Sequence, residues 1–180
     1  GGGRFTVSIT PCPKLLPLDL VERGEMRGRR ARALLANLPR HIAGRELKLV
    51  ARKLGWTADE LVVEEVRDSP GPGNVMMLEV ESEHVTEVFT GFGEHGRSAE
   101  AVAEAAVQEC RSYIGHGVPV GGYLADQLML PMAICGGGRY TTQPLSRHAR
   151  TQIELIRQFL DRQVIARDEG RGQVTVEVER

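Results

Sequence analysis

Two spacings of apolar residues alternate along this chain. Period-two alternation marks strands, and repeats at i, i+3 and i+4 mark helices. Phe5, Val7 and Ile9 alternate with polar neighbours, which predicts a half-buried strand ended by Pro11, Pro13 and Pro17. The stretch up to Gly24 reads as a linker with Gly24 as its hinge. Ala31, Ala33 and Leu35 predict a strand over 29–37, and Pro39-Arg40-His41 opens a helix. That helix carries Ile42, Leu47, Val50 and Leu54 on one stripe and stops at Gly55. Residues 61–66 read as a strand, 68–73 as a turn-rich loop, and 74–81 with 85–92 as a hairpin.

The second half continues the mixture. Ser98 is placed to cap a helix running to about Ile114, with Val102, Ala106, Cys110 and Ile114 at every fourth position. A helix is expected over 122–135, bent or shortened by Pro131 and broken by Gly136-Gly137-Gly138. A short strand over 139–142 leads to a helix over 146–160 with Ile153, Ile156 and Leu160 inward. Strands over 163–168 and 173–178 close the chain. The mixed order predicts an α+β fold, an α/β sandwich with helices on one face of each sheet.

Composition narrows the function classes. The chain has 180 residues, room for one large or two small domains. Lys and Arg number 23 against 24 Asp and Glu, a balance that disfavours bulk, sequence-independent nucleic-acid binding. A local basic cluster can still hold one phosphate. The longest apolar runs fall far short of the ~20 residues a membrane helix needs, so no membrane partner is expected. Cys12, Cys110 and Cys135 are widely spaced with no CxxC pair, which fits a reducing compartment: the cytoplasm, or the nucleus in a eukaryote. Gly1-Gly2-Gly3 opens the chain without an initiator Met. It reads as a tag remnant or, preferred here, as a loop cut from a longer chain.

Two segments carry candidate chemistry. In Gly121-Gly122-Tyr123-Leu124-Ala125-Asp126-Gln127, a helix puts Tyr123, Asp126 and Gln127 on one face. That face offers a ring to stack a base, a carboxylate and an amide, behind glycines that let a ligand approach the backbone. The same residues also suit an ordinary helix start. In Gln143-Pro144-Leu145-Ser146-Arg147-His148-Ala149-Arg150-Thr151, Ser146 is an N-cap and His148 falls in the first turn. Free N–H groups and the positive helix end point there, and Arg147 and Arg150 flank it, with Arg139 near in sequence. Such a place suits phosphate, and a neutral imidazole there suits a nucleophile. A capping or surface histidine reads equally well from spacing alone. His41, His84, His95 and His116 pair with no Cys or carboxylate at metal-ligand spacing and are read as structural or surface residues, so no metal ligands are assigned.

The ordered combination is more specific. The run Tyr123 to Gln127, the Leu130-Pro131-Met132-Ala133 run, the glycine cluster, the Tyr140-Thr141 strand and the Ser146-x-His148-x-x-Thr151 helix start resemble the C-terminal signature of RNA 3'-terminal phosphate cyclases. Gly1-Gly2-Gly3-Arg4, Leu38-Pro39-Arg40-His41-Ile42-Ala43, Gly71-Pro72-Gly73-Asn74 and the strand Leu78 to Glu83 are similar to that family as well. The resemblance covers essentially the whole chain.

The resemblance implies a large catalytic domain of repeated sheet-plus-two-helix units with a smaller inserted α/β domain. It puts 1–24 and 119–180 in the large domain and 25–118 in the insert. It implies ATP as cofactor and an RNA 3'-phosphate end as substrate. The family's nucleophile falls on His148 and its nucleotide-binding stretch on Tyr123, Leu124, Ala125, Asp126 and Gln127. The histidine takes AMP from ATP, AMP passes to the RNA 3'-phosphate, and the vicinal 2'-hydroxyl closes a 2',3'-cyclic phosphate. A divalent metal, Mg²⁺ or Mn²⁺, is expected to neutralise charge. Gln152 stands where relatives often carry Asn, and Pro144 is displaced by one place. The family is about twice this length, so the missing N-terminal half is an expected partner, with a homodimer as a further one, and this half alone is expected to be inactive. Two alternatives stand beside it: a non-catalytic cyclase-like protein of ribosome biogenesis, and a small RNA- or protein-binding module.

Overall fold

In a computed structural model the chain is described over residues 4–11 and 14–179. The glycine run at 1–3, Cys12 and Pro13 lie outside the described residues. The chain divides into two compact units, chiefly 26–82 with 86–112, and 6–25 with 83–85 and 113–180. The fold is α+β, four helices with two mixed four-stranded sheets among the described residues.

The elements run in chain order. β1 (Leu18–Leu20) comes first and belongs to the second unit. The first unit then takes β2 (Met26–Ala36), α1 (His41–Leu54), β3 (Leu61–Val66), β4 (Gly73–Ser82), β5 (Thr86–Phe92) and most of α2 (Ala99–His116). Its sheet has the order β3-β2-β4-β5. β2 and β3 are parallel, joined through α1, while β2–β4 and β4–β5 are antiparallel. Period two sends Ala31, Ala33 and Leu35 of β2 and Met76, Leu78 and Val80 of β4 inward, where all are buried. Val102, Ala103, Ala106, Val107 and Cys110 form the buried stripe of α2. Small residues let that helix sit close: a Cβ on Gly91 would lie 2.2 Å from the Val102 carbonyl oxygen. Gly55 ends α1 in the left-handed conformation, φ 68°, and donates its N–H to Ala51.

The second unit adds α3 (Gly122–Cys135), β6 (Gly138–Thr142), α4 (Arg147–Leu160), β7 (Val164–Gly170) and β8 (Gln173–Val178). Its sheet order is β1-β6-β8-β7, with only the β1–β6 pair parallel. Its core joins Ala125, Met129, Met132 and Ala133 of α3 to Ala149, Ile153 and Ile156 of α4, over Tyr140, Val176 and Val178. Tyr140 is fully buried, and its hydroxyl donates to the Ala125 carbonyl at 2.8 Å, so the phenol brings no unmet polar group into the core.

Three expectations change. Residues 4–10 form no strand, and Phe5, Val7 and Ile9 are exposed. Their alternation gives one apolar edge, but a strand also needs a neighbour for its backbone groups, and no described strand pairs with them. Leu160 is exposed, because the helix ends there as Asp161 turns left-handed at φ 48°. Pro131 does not shorten α3: the helix runs on to Cys135, with the Gln127 carbonyl denied its usual donor.

Candidate functional site

Both chemistry-bearing segments are helix starts in the second unit, and the fold brings them together. Ser146 takes an extended conformation before α4, and its Oγ accepts from the Ala149 N–H at 2.9 Å. The same hydroxyl donates to the Asp126 carboxylate, 3.1 Å from Oδ1 and 3.2 Å from Oδ2. Asp126 sits on α3, so a carboxylate on one helix fixes the cap that starts the other. Sequence reading identified Ser146 as a cap and Asp126 as a functional candidate, but not the bond between them. That bond spans 20 residues and exists only once α3 packs against α4.

The cap determines what His148 meets. It fills the third donor of the helix and leaves the N–H groups of Arg147 and His148 without intrahelical acceptors. His148 is exposed, and Arg147 and Arg150 beside it are exposed too. No hydrogen bond ties the His148 ring to another described residue. Thr151 Oγ1 turns back to the Arg147 carbonyl at 3.0 Å, on the helix's own first turn. Arg139 is used elsewhere: its guanidinium makes a two-point pair with Asp19, at 3.1 and 3.0 Å, between β6 and β1.

The stretch 123–127 divides by depth. Ala125 is buried and supplies the carbonyl that Tyr140 binds, and half-buried Leu124 packs against the core. Tyr123 and Gln127 are exposed, one turn apart on α3. Asp126, between the two levels, reaches the cap. Gln143, just before the cap, has its amide nitrogen 3.2 Å from the Nδ1 of His116, and the His116 carbonyl accepts from Gln173 at 2.6 Å. His84 Nδ1 lies 3.2 Å from the Glu22 carbonyl. Both histidines are thus tied to backbone or neighbouring loops. Among the described residues, no three or more His, Cys, Asp or Glu side chains gather as metal ligands. No described helix is long and apolar enough to cross a membrane.

Comparison with known proteins identifies the family. Residues 21–115 match the family model described as the insert domain of RNA 3'-terminal phosphate cyclase. The chain belongs to the RNA 3'-terminal phosphate cyclase family. A Koribacter versatilis protein of that name is 47% identical over 160 residues, 89% of this chain and 45% of the relative. A Pseudomonas fluorescens cyclase is 43% identical over 167 residues, 93% of this chain and 48% of the relative. One from Ectopseudomonas mendocina is 38% identical over 178 residues, covering 99% and 52%. The chain thus spans about half the length of the curated cyclases it matches.

Proposed function

We propose that this chain carries the nucleotidyl-accepting histidine of an ATP-dependent RNA 3'-terminal phosphate cyclase. The observation that carries the reading is the Asp126–Ser146 bond, which holds the start of α4 so that His148 stands exposed among free N–H groups and two arginines. A helix start of that kind neutralises phosphate oxygens. The His148 imidazole attacks the α-phosphorus of ATP, a P–N bond forms, the bond to the β-phosphate oxygen breaks, and pyrophosphate leaves. An oxygen of the RNA 3'-phosphate then attacks the same phosphorus and frees the imidazole. The 2'-hydroxyl closes on the 3'-phosphorus, loses its proton and expels AMP. Activation is needed because an unmodified phosphate offers a poor leaving group.

The side chains divide this work. Arg147 and Arg150 offset charge on the phosphates. Asp126 and Ser146 position the nucleophile through the helix, a geometric contribution. Tyr123 and Gln127 present a ring face and an amide to the base. The Asp126 carboxylate shares the single Ser146 hydroxyl proton between its oxygens, and among the described residues no three His, Cys, Asp or Glu side chains gather, so a divalent ion, Mg²⁺ or Mn²⁺, would be carried on the nucleotide phosphates and neutralise their charge there. Residues beyond the matched half of the relatives would complete the nucleotide and RNA sites.

The test is incubation of the full-length protein with labelled ATP and Mg²⁺, followed by an RNA with a 3'-phosphate. One AMP per chain and a cyclic phosphate end are expected, both lost in His148→Ala. A folded full-length protein that takes up no AMP would refute the reading.

A further inference from the structure

His116, which spacing alone marks as structural or surface, bears on the chain that carries the cap of α4. It ends α2 within the second unit, and its residue is half-buried. The loop from β6 into α4 is short: Gln143, Pro144 and Leu145, with Ser146 next as the cap. Whatever holds these residues sets the height and angle at which α4 begins. At the β6 end the hold is firm. Fully buried Thr142 donates its hydroxyl to the Val120 carbonyl at 2.8 Å, and the Val120 N–H donates to the Thr141 carbonyl at 3.2 Å. At the α4 end Asp126 accepts from Ser146.

Between these anchors the loop meets a corner built on His116. The Gln143 amide nitrogen lies 3.2 Å from the His116 Nδ1. With the amide nitrogen on the ring side, Nδ1 accepts and the neutral ring carries its proton on Nε2. Gln173 donates to the His116 carbonyl at 2.6 Å, which fixes the backbone of this residue from β8. Gly172, in the β7–β8 turn at φ 75°, brings bare backbone against the other side of the ring. A Cβ there would lie 2.9 Å from Nε2 and 3.9 Å from the Pro144 Cγ, so the turn, the ring and the loop meet with no room for a side chain. Leu145 packs against the core of the unit.

We propose that His116 is a positioning residue for AMP transfer: its ring holds Gln143 and so sets where the first turn of α4 places His148. The inference rests on the role proposed for His148. Asp126 fixes the cap from α3, and His116 fixes the chain entering that cap from the end of α2, so the first turn is held from two sides. A residue acting through the loop sets the distance from nucleophile to phosphorus and makes no contact with the nucleotide. Its loss therefore falls on the rate of the chemical step and not on ATP binding.

The test is single-turnover AMP uptake by the full-length protein with Mg²⁺, followed over a range of ATP concentrations. His116→Leu keeps bulk and removes the ring nitrogens, while His116→Asn puts an amide near the place of Nδ1. His116→Leu is expected to lower the rate at saturating ATP by about tenfold and to leave half-saturation within about twofold. His116→Asn should return the rate to within about threefold of the parent, since its amide can bond Gln143 again. Gln143→Leu, a loop change that leaves the core intact, should repeat the loss, and the two leucine changes together should cost little more than either alone. An unchanged rate in both leucine variants, a loss that His116→Asn does not recover, losses that multiply in the double variant, or an effect confined to half-saturation would each overturn the proposal and leave the role of His148 standing. A parent protein that takes up no AMP would refute the role of His148, and this inference with it.

Discussion

His41 and His148 occupy the same local position: the first turn of a 14-residue helix, exposed, next to an arginine. Their surroundings differ in one respect. Before His148, Ser146 caps the helix and Asp126 holds Ser146, so the turn has one defined geometry. Before His41, Arg40 stands in helical conformation and caps nothing. A start fixed by a cap and a second helix suits a nucleophile, whose reacting atom must be placed within a fraction of an ångström. The start of α1 has no such hold: no side chain caps it, and the Ile42 N–H turns back to the Pro39 carbonyl at 3.0 Å.

Removing the proposed nucleophile should have the largest effect. His148→Ala should abolish AMP uptake and RNA cyclisation, while His41→Ala should leave AMP uptake in place, read by labelled ATP. Thermal melts should place His148→Ala within about 0.5 kcal/mol of the parent, as for other exposed sites. Next is the support beneath the cap. Asp126→Ala should slow AMP uptake by about tenfold to a hundredfold through misplacement of the ring, read by single-turnover kinetics, with the AMP still on His148. Ser146→Ala should cost about 1 kcal/mol of stability in denaturant titration.

The first unit contributes a pH effect. Burial raises the pKa of Glu46 above its ordinary 4.5, opposed in part by the hydrogen bond from Asn74. The folded state therefore holds a proton that the unfolded chain has already released. This stabilising contribution is complete below the ordinary value and is lost as pH rises through the raised one. Glu46→Gln keeps an acceptor for Asn74 and removes the titration, so it should flatten stability against pH above the usual carboxylate range, measured by urea unfolding. The smallest effect belongs to Arg40→Ser. A cap added to α1 should give at most about 0.5 kcal/mol, since residue 40 lies outside the extended conformation that caps prefer.

How much could be read before the fold was seen follows from the range of each signal. The hairpin of β4 and β5, the span of α3, the Ser98 and Ser146 caps and the Gly55 stop are local, set by spacing or by one residue's backbone preference. Phe5, Val7 and Ile9 showed the limit, since alternation gives a strand its apolar edge and not its partner. Glu46 lies on the apolar stripe of α1, four residues after Ile42 and four before Val50, and is fully buried, but its bond from Asn74 crosses 28 residues and no periodicity reveals it. At the candidate site, the ordered motifs pointed to His148, while the link from Asp126 to Ser146 required the packing of α3 on α4.

The proposed covalent bond to His148 is open to fragment mass analysis of the full-length protein after reaction with ATP and Mg²⁺, kept at alkaline pH where a P–N bond survives. One AMP is expected, on the peptide and the ring of His148, formed more slowly in Asp126→Ala. An AMP found on a lysine or on another histidine, with His148 unmodified, would contradict it.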